Sequence, residues 1–169
     1  EKRRGDYVQL LNQVPAVDQL FLLDGEGREQ LRLSRTKVLF NAQTDFSHDA
    51  RFTETVTRGV SYSPIYFDGT QPFMSIAVAH SGFNAGVTVA EIDLRFLSDF
   101  FGDAQVGKAT FAYTVDPRGQ VIASSSKGPE VSTDLAKLPQ VAAQTAPVSR
   151  ALVSGTGADG NSVLSASSV

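Results

Sequence analysis

The chain has 169 residues, 41% hydrophobic and 20% charged, with 15 Lys and Arg against 18 Asp and Glu for a formal net charge of −3. That length fits one domain or two small ones, the apolar fraction is globular, and a weakly acidic chain lacks the basic field that non-specific nucleic-acid binding requires. The absence of cysteine excludes a disulfide scaffold, a thiolate zinc site and cysteine catalysis, and two histidines, His48 and His80, leave little material for metal or imidazole chemistry.

No apolar run approaches the ~20 residues that span a bilayer. The charged start Glu1–Arg4 is followed by no signal-type apolar segment. Tyr7, Leu10, Leu11 and Val14 then fall at i, i+3, i+4 and i+7, one apolar helical stripe. Pro15 stops this helix, which reads as the end of a longer one. Residues 20–24 and 28–34 flank Gly25-Glu-Gly27 and predict a β-hairpin. Residues 36–57 are less regular, with a short helix over 49–56 that puts Phe52 and Val56 on one face. Strands are expected at 61–67, 72–79 and 86–93, joined by hairpin-length connections and hence antiparallel. A helix over 94–101, with Leu94, Leu97 and Phe101 on one side, ends at Gly102.

A second cycle follows. Residues 110–116 and 120–124 flank Pro117-Arg-Gly119 as another hairpin. Phe21-x-x-Asp24-x-x-Gly27 matches Tyr113-x-x-Asp116-x-x-Gly119 at a separation of 92 positions, which implies two small homologous modules. After a helical or coil stretch at 135–143, two β-like runs (149–154 and 163–169) flank a Gly-rich turn, so the second module reads as incomplete at its C-terminus.

Two literal motif matches fail on context. Gly155-Thr-Gly-Ala-Asp-Gly160 satisfies G-x-G-x-x-G, but a β-like run follows it where a dinucleotide site needs a helix. Ser124-Ser-Ser-Lys127 satisfies S-x-x-K, but it runs into Gly128-Pro129, where no helix continues. His48 and His80 read as surface residues, and Asp49 as a helix N-cap. Glu91 and Asp93 alternate at i, i+2 and emerge on one side of a strand, opposite Thr88, Ala90 and Ile92. A polar ligand face explains them better than a catalytic pair, because no positioned base or metal accompanies them; a solvated sheet rim is the third explanation. Tyr62 and Tyr66, at i, i+4 on one expected strand, share a face either as a stacking platform for a small polar ligand or as core tyrosines with surface hydroxyls.

The order and spacing of these elements resemble a double Cache domain, the PAS-like extracytoplasmic sensor of bacterial transmembrane receptors. The likeness rests on the leading helix, the two aromatic-x-x-Asp-x-x-Gly hairpins, the short helix near Phe52, and the strands Ser63–Asp68 and Gly86–Asp93. It implies an α+β fold in which a long N-terminal stalk helix (1–19) carries a membrane-distal module (20–101) and a truncated membrane-proximal module (102–169), each with an antiparallel sheet. It further implies flanking membrane helices outside this sequence, a periplasmic or extracellular location, and a cytoplasmic kinase, cyclase or chemoreceptor output. In the amino-acid-binding branch of that family the distal pocket uses an Arg-x-Trp-Tyr run, a strand tyrosine and a closing aspartate. Tyr66 and Asp93 match the last two, while the helix run offers only Phe52 at its tyrosine position. Arg51 or Arg35 would have to replace the missing guanidinium. The expected pocket is Tyr62, Tyr66, Ser75, Glu91, Asp93 and Arg51, holding a small molecule without catalysis, cofactor, metal or nucleic acid. Homodimerisation through the stalk helix is the expected partner contact, and ligand-independent dimerisation or docking of a periplasmic partner the alternative function.

Overall fold

The computed structural model describes residues 2–35, 44–82, 85–102, 111–142, 153–157 and 160–165. The chain divides into two compact units, Glu1–Asp68 with Phe73–Leu94, and Gly69–Pro72 with Arg95–Val169.

The first unit runs α1 (Lys2–Gln13), β1 (Val17–Asp24), β2 (Glu29–Ser34), α2 (Ala50–Arg58), β3 (Val60–Tyr62), β4 (Tyr66–Asp68), β5 (Gln71–His80) and β6 (Gly86–Asp93). Its sheet has the order β2-β1-β6-β5-β3, with β4 also on β5. The pairs along that path are antiparallel, and they set Gln19 opposite Glu91 and Glu91 opposite Ser75, one row across three strands. Because side chains alternate along a strand, the next residues sort into two apolar faces. Phe21, Leu23, Ala77, Val87 and Val89 pack under Phe46 and Phe52. Leu20, Leu22, Leu31, Leu33, Ala90 and Ile92 pack on the other side against Tyr7, Leu11 and Val17.

Each helix uses part of its expected stripe. α1 covers twelve residues here and buries the i, i+4 pair Tyr7 and Leu11, while Leu10 and, just past its end, Val14 stay exposed. The Tyr7 hydroxyl bonds the Thr88 hydroxyl on β6. Arg35 closes the C-terminal end of α1: its guanidinium donates to the carbonyls of Leu11, Val14 and Val17, the last two at 3.2 and 3.3 Å. α2 starts at Asp49, whose carboxylate accepts from the Arg51 N–H, and stops at Gly59 in the left-handed region with φ 83°. Its buried pair is Phe52 and Thr55, whereas Val56 is exposed. The expected i, i+4 face is thus turned by one residue, because the Thr55 hydroxyl reaches the Arg51 carbonyl and the Ser61 hydroxyl.

The second unit contains α3 (Phe96–Gly102), β7 (Tyr113–Val115), β8 (Val121–Ser124), α4 (Pro139–Ala142), β9 (Val153–Thr156) and β10 (Ser162–Ser165). β7 pairs with β8 and β9 with β10, both antiparallel. Its core is Val121, Leu135 and Val141, with Tyr113, Val115 and Leu138 around them. The described residues of the glycine-rich motif lie at the end of β9 and just after it, where Gly157 N–H donates to Asn161 O at 2.7 Å, and β10 follows. Ser125–Lys127 form a turn after β8. The expectations for residues 36–43, 149–152 and 166–169 lie outside the described residues.

The repeated hairpin carries the same hydrogen bonds in both units. Asp24 accepts from the N–H groups of Glu26 and Arg28, and Asp116 from those of Arg118 and Gln120, each at 2.9 Å. Gly27 and Gly119 follow with φ 83° and 84°. Each glycine carbonyl then accepts from a distant chain, Phe46 N–H at 2.8 Å and Leu135 N–H at 2.9 Å. Single bridges tie Arg28 to Asp45 and Gln120 to Asp134, so the clasp repeats at 89 positions and the second copy is three residues shorter in between. Burial opposes ionisation of Asp24 and Asp116, but the backbone N–H bonds, together with side-chain bonds from Gln30 and Arg118 respectively and the charge of the neighbouring arginine, outweigh it and hold both carboxyls below their ordinary 3.8. A folded-state value below the unfolded one gives stability that is complete above that pH and is lost as pH falls beneath it. The melting temperature is therefore expected to hold from pH 7 down to about 5 and to drop below about 4. A pH series of thermal melts measures this, and a flat profile to pH 2 would refute the role of the two turns.

Candidate functional site

β6 places Glu91 and Asp93 on the α2 side of the sheet, with Ser75 and Phe73 of β5 as their respective cross-strand neighbours. Glu91 is held from two directions. The Gln19 side-chain amide on β1 donates to its Oε2, and Arg51 Nη1 stands 3.3 Å from its Oε1. Arg51, two residues past the N-cap of α2, closes its Nε and Nη2 on the two oxygens of Asp49 at 2.9 and 2.8 Å. That bond depresses the Asp49 carboxyl pKa and raises that of the guanidinium, with Glu91 adding to the latter. The Arg51 guanidinium also lies 5.1 Å from the ring centre of Phe46 and 5.6 Å from that of Phe21. Arg32, paired with Glu29, approaches the same two rings.

Tyr66 stacks on Phe73 with ring centres 6.0 Å apart. Burial first, and the negative charge of Glu91 second, push its hydroxyl up to about 12, so it is protonated at neutral pH. Ser75 is 1% exposed, and its side chain interacts with the Tyr66 hydroxyl, opposing part of that upward shift. Among the described residues no group of three or more His, Asp or Glu side chains is arranged to hold a metal.

Five of the expected pocket residues, Tyr66, Ser75, Glu91, Asp93 and Arg51, therefore share the α2 side of the sheet. Tyr62 does not. It pairs with Ile76, whose alternation places it on the α1 face, and it is 66% exposed. The expected single strand over 61–67 is broken between Tyr62 and Tyr66. Pro64 has no N–H for the ladder, and the Ser63 hydroxyl donates to the Pro64 carbonyl while accepting from Ser75 N–H. Parity does not carry across such a break. Arg35, the other candidate guanidinium, is spent on the end of α1. Sequence reasoning missed Gln19, whose pairing with Glu91 depends on a strand contact 72 residues apart, and it read Asp49 as a cap without its second role as the partner of Arg51.

No protein-family model matches the sequence, and no curated protein matches it. Solved structures do. The ligand-binding domain of the Campylobacter jejuni chemoreceptor Tlp3 with L-norvaline has a TM-score of 0.68 at 16% identity, over 96% of this chain and 64% of that one. The ligand-binding domain of the Pseudomonas aeruginosa PAO1 amino acid chemoreceptor PctC with GABA has a TM-score of 0.59 at 14% identity, over 89% of this chain and 66% of that one. The extracellular domain of the histidine kinase candidate mmHK1S-Z2 reaches 0.70 at 11% identity, over 96% of this chain and 74% of that one. The fold is that of the Cache-like sensory domains of chemoreceptors and histidine kinases. This chain spans slightly less than two thirds of each of the two chemoreceptor domains.

Proposed function

We propose that this chain is the extracytoplasmic sensor region of a bacterial transmembrane receptor and binds a small molecule on the α2 side of its first sheet. The observation that carries the reading is the polar cluster of Tyr66, the buried Ser75, Glu91 and Arg51 gathered on that face. Two neighbours with small ligands bound, L-norvaline and GABA, support it at the level of fold. In this reading residues 20–101 are a membrane-distal module and 102–169 a membrane-proximal one, and neither is catalytic. The ligand acts by its differential affinity for two arrangements of the module, whose populations a cytoplasmic kinase, cyclase or chemoreceptor output reads. Glu91→Ala and Asp93→Ala test the face. Removing one partner of a buried charged contact costs roughly 2–5 kcal/mol, about 30-fold or more in affinity. A wide metabolite panel read by thermal shift, followed by calorimetry on both variants, measures it. Unchanged affinity in both would move the site elsewhere.

A second reading is ligand-independent association through α1, favoured by the exposed Val8, Leu10 and Val14. Tyr7 and Leu11, expected on that interface, are instead packed on the sheet. Sedimentation of the wild type against Leu10→Lys separates this reading from the first.

A further inference from the structure

We infer that Gln140 is a built-in clasp of the second unit: its neutral amide stands where the first unit has the Arg51 guanidinium, and it fastens α4 to both hairpins. The inference concerns the second unit alone and does not rest on the reading of the first sheet's α2 side. The equivalence of the two positions follows from backbone bonds between counterparts 89 positions apart. Asp45 accepts from Ser47 N–H at 2.8 Å, as Asp134 does from Ala136 N–H at 2.9 Å. Asp49 N–H donates to the Phe46 carbonyl and Leu138 N–H to that of Leu135, both at 2.9 Å. The Asp49 carbonyl then accepts from Phe52 and Thr53, and the Leu138 carbonyl from Val141 and Ala142. α2 and α4 begin at Ala50 and Pro139, and Phe52 and Val141 each enter the core of their unit. Arg51 and Gln140 are therefore the second residue of each helix. The ion pair is missing from the second copy, because Leu138 takes the place of Asp49 and an amide that of the guanidinium.

Gln140 is 5% exposed. Its Nε2 donates to the Thr156 carbonyl on β9 at 3.4 Å, and its amide shares a hydrogen bond with the Tyr113 hydroxyl on β7. Tyr113 is the counterpart of Phe21, the ring that Arg51 approaches in the first unit. Among the described residues β7–β8 and β9–β10 form separate two-stranded sheets, so the amide is bound to one strand of each. A Cβ added at Gly155 would stand 2.9 Å from Gln140 Oε1, which shows that this side chain fills the space between α4 and β9. Parting the hairpins would strand a buried amide without its bonds, and that desolvation cost is what keeps them together.

Hydrogen exchange of the intact chain, read by mass spectrometry of its peptides, tests this. Gln140→Ala is expected to speed exchange in β7, β9 and β10 at least ten-fold, the loss of about one buried hydrogen bond, and to leave β1, β5 and β6 unchanged. Propionamide, which matches the removed side chain, should return part of that protection to Gln140→Ala at concentrations that leave the wild type unaltered. Gln140→Met keeps the length and the apolar stem, so it holds the packing where Gln140→Ala unfolds the second unit. It should still speed exchange in β9 and β10 at least ten-fold. Gly155→Ala should loosen β9 in the wild type and have less effect in Gln140→Met, because residues in contact are not additive. Wild-type exchange in both Gln140 variants would overturn the clasp. Protection kept in Gln140→Met but lost in Gln140→Ala, with no response to propionamide, would overturn the role of the amide and leave only packing. An equal effect of Gly155→Ala in both backgrounds would overturn the contact with β9.

Discussion

Gly27→Ala and Gly119→Ala are each expected to destabilise their unit by about 3–5 kcal/mol, a large part of what holds a small domain folded. Two effects add. At φ 83° and 84° a side chain is strained whatever the space. A Cβ would also stand 2.7 Å from Ser47 Cα and 2.6 Å from Ala136 Cα, both backbone atoms. Neither neighbour can withdraw without breaking the bond from Phe46 or Leu135 N–H to the glycine carbonyl. Gly59 is the internal control. It has φ 83° but nothing within 4 Å of its Cβ position, so Gly59→Ala carries the conformational cost alone, about 1 kcal/mol. Urea midpoints of the three variants measure the difference, and equal shifts at Gly27 and Gly59 would show that the clasp contributes nothing.

Phe21→Ala is expected to cost about 3–5 kcal/mol and to weaken ligand binding as well. The ring is 1% exposed, stacks on Phe46 with centres 5.3 Å apart, and packs with Leu23, Phe52, Ala77, Val87 and Val89. It also lies near two guanidinium groups, at 4.9 Å from Arg32 and 5.6 Å from Arg51. Truncation leaves a cavity directly beneath the side chain that holds Asp49 and Glu91 in place. Phe21→Leu, which refills much of the volume without the aromatic face, separates packing from ring chemistry. Its stability should largely recover, while ligand affinity recovers less. Calorimetric binding beside urea denaturation on both variants reads the two effects, and a Phe21→Ala chain with wild-type affinity would detach the site from this core.

What the sequence made legible was local. The two hairpins, the Asp49 cap and the shared face of Glu91 and Asp93 follow from turn chemistry and from alternation over a few residues. The likeness of the two turns was visible because aspartate and glycine do their work within four positions of each other. Contacts closed over long stretches of chain were not visible. The bridges to Asp45 and Asp134 and the Gln19 amide on Glu91 depend on which strands become neighbours. Tyr62 was misplaced because a proline-centred break of three residues resets the alternation on which its face was read. Arg35 looked like a candidate for a ligand because a lone cation near a sheet can serve a small molecule or a helix end equally well, and the carbonyls at the end of α1 claim it.

The clamp that Arg35 places on α1 has a mechanical consequence. Its carbonyl bonds, together with the Tyr7–Thr88 contact, fasten both the end and the middle of the helix to β1, β2 and β6. A load along the helix axis is then shared among several bonds in shear instead of peeling one after another. Thr88 and Glu91 belong to the same strand but point to opposite sides of it. A tilt of that strand would be passed to the helix through the Tyr7–Thr88 contact.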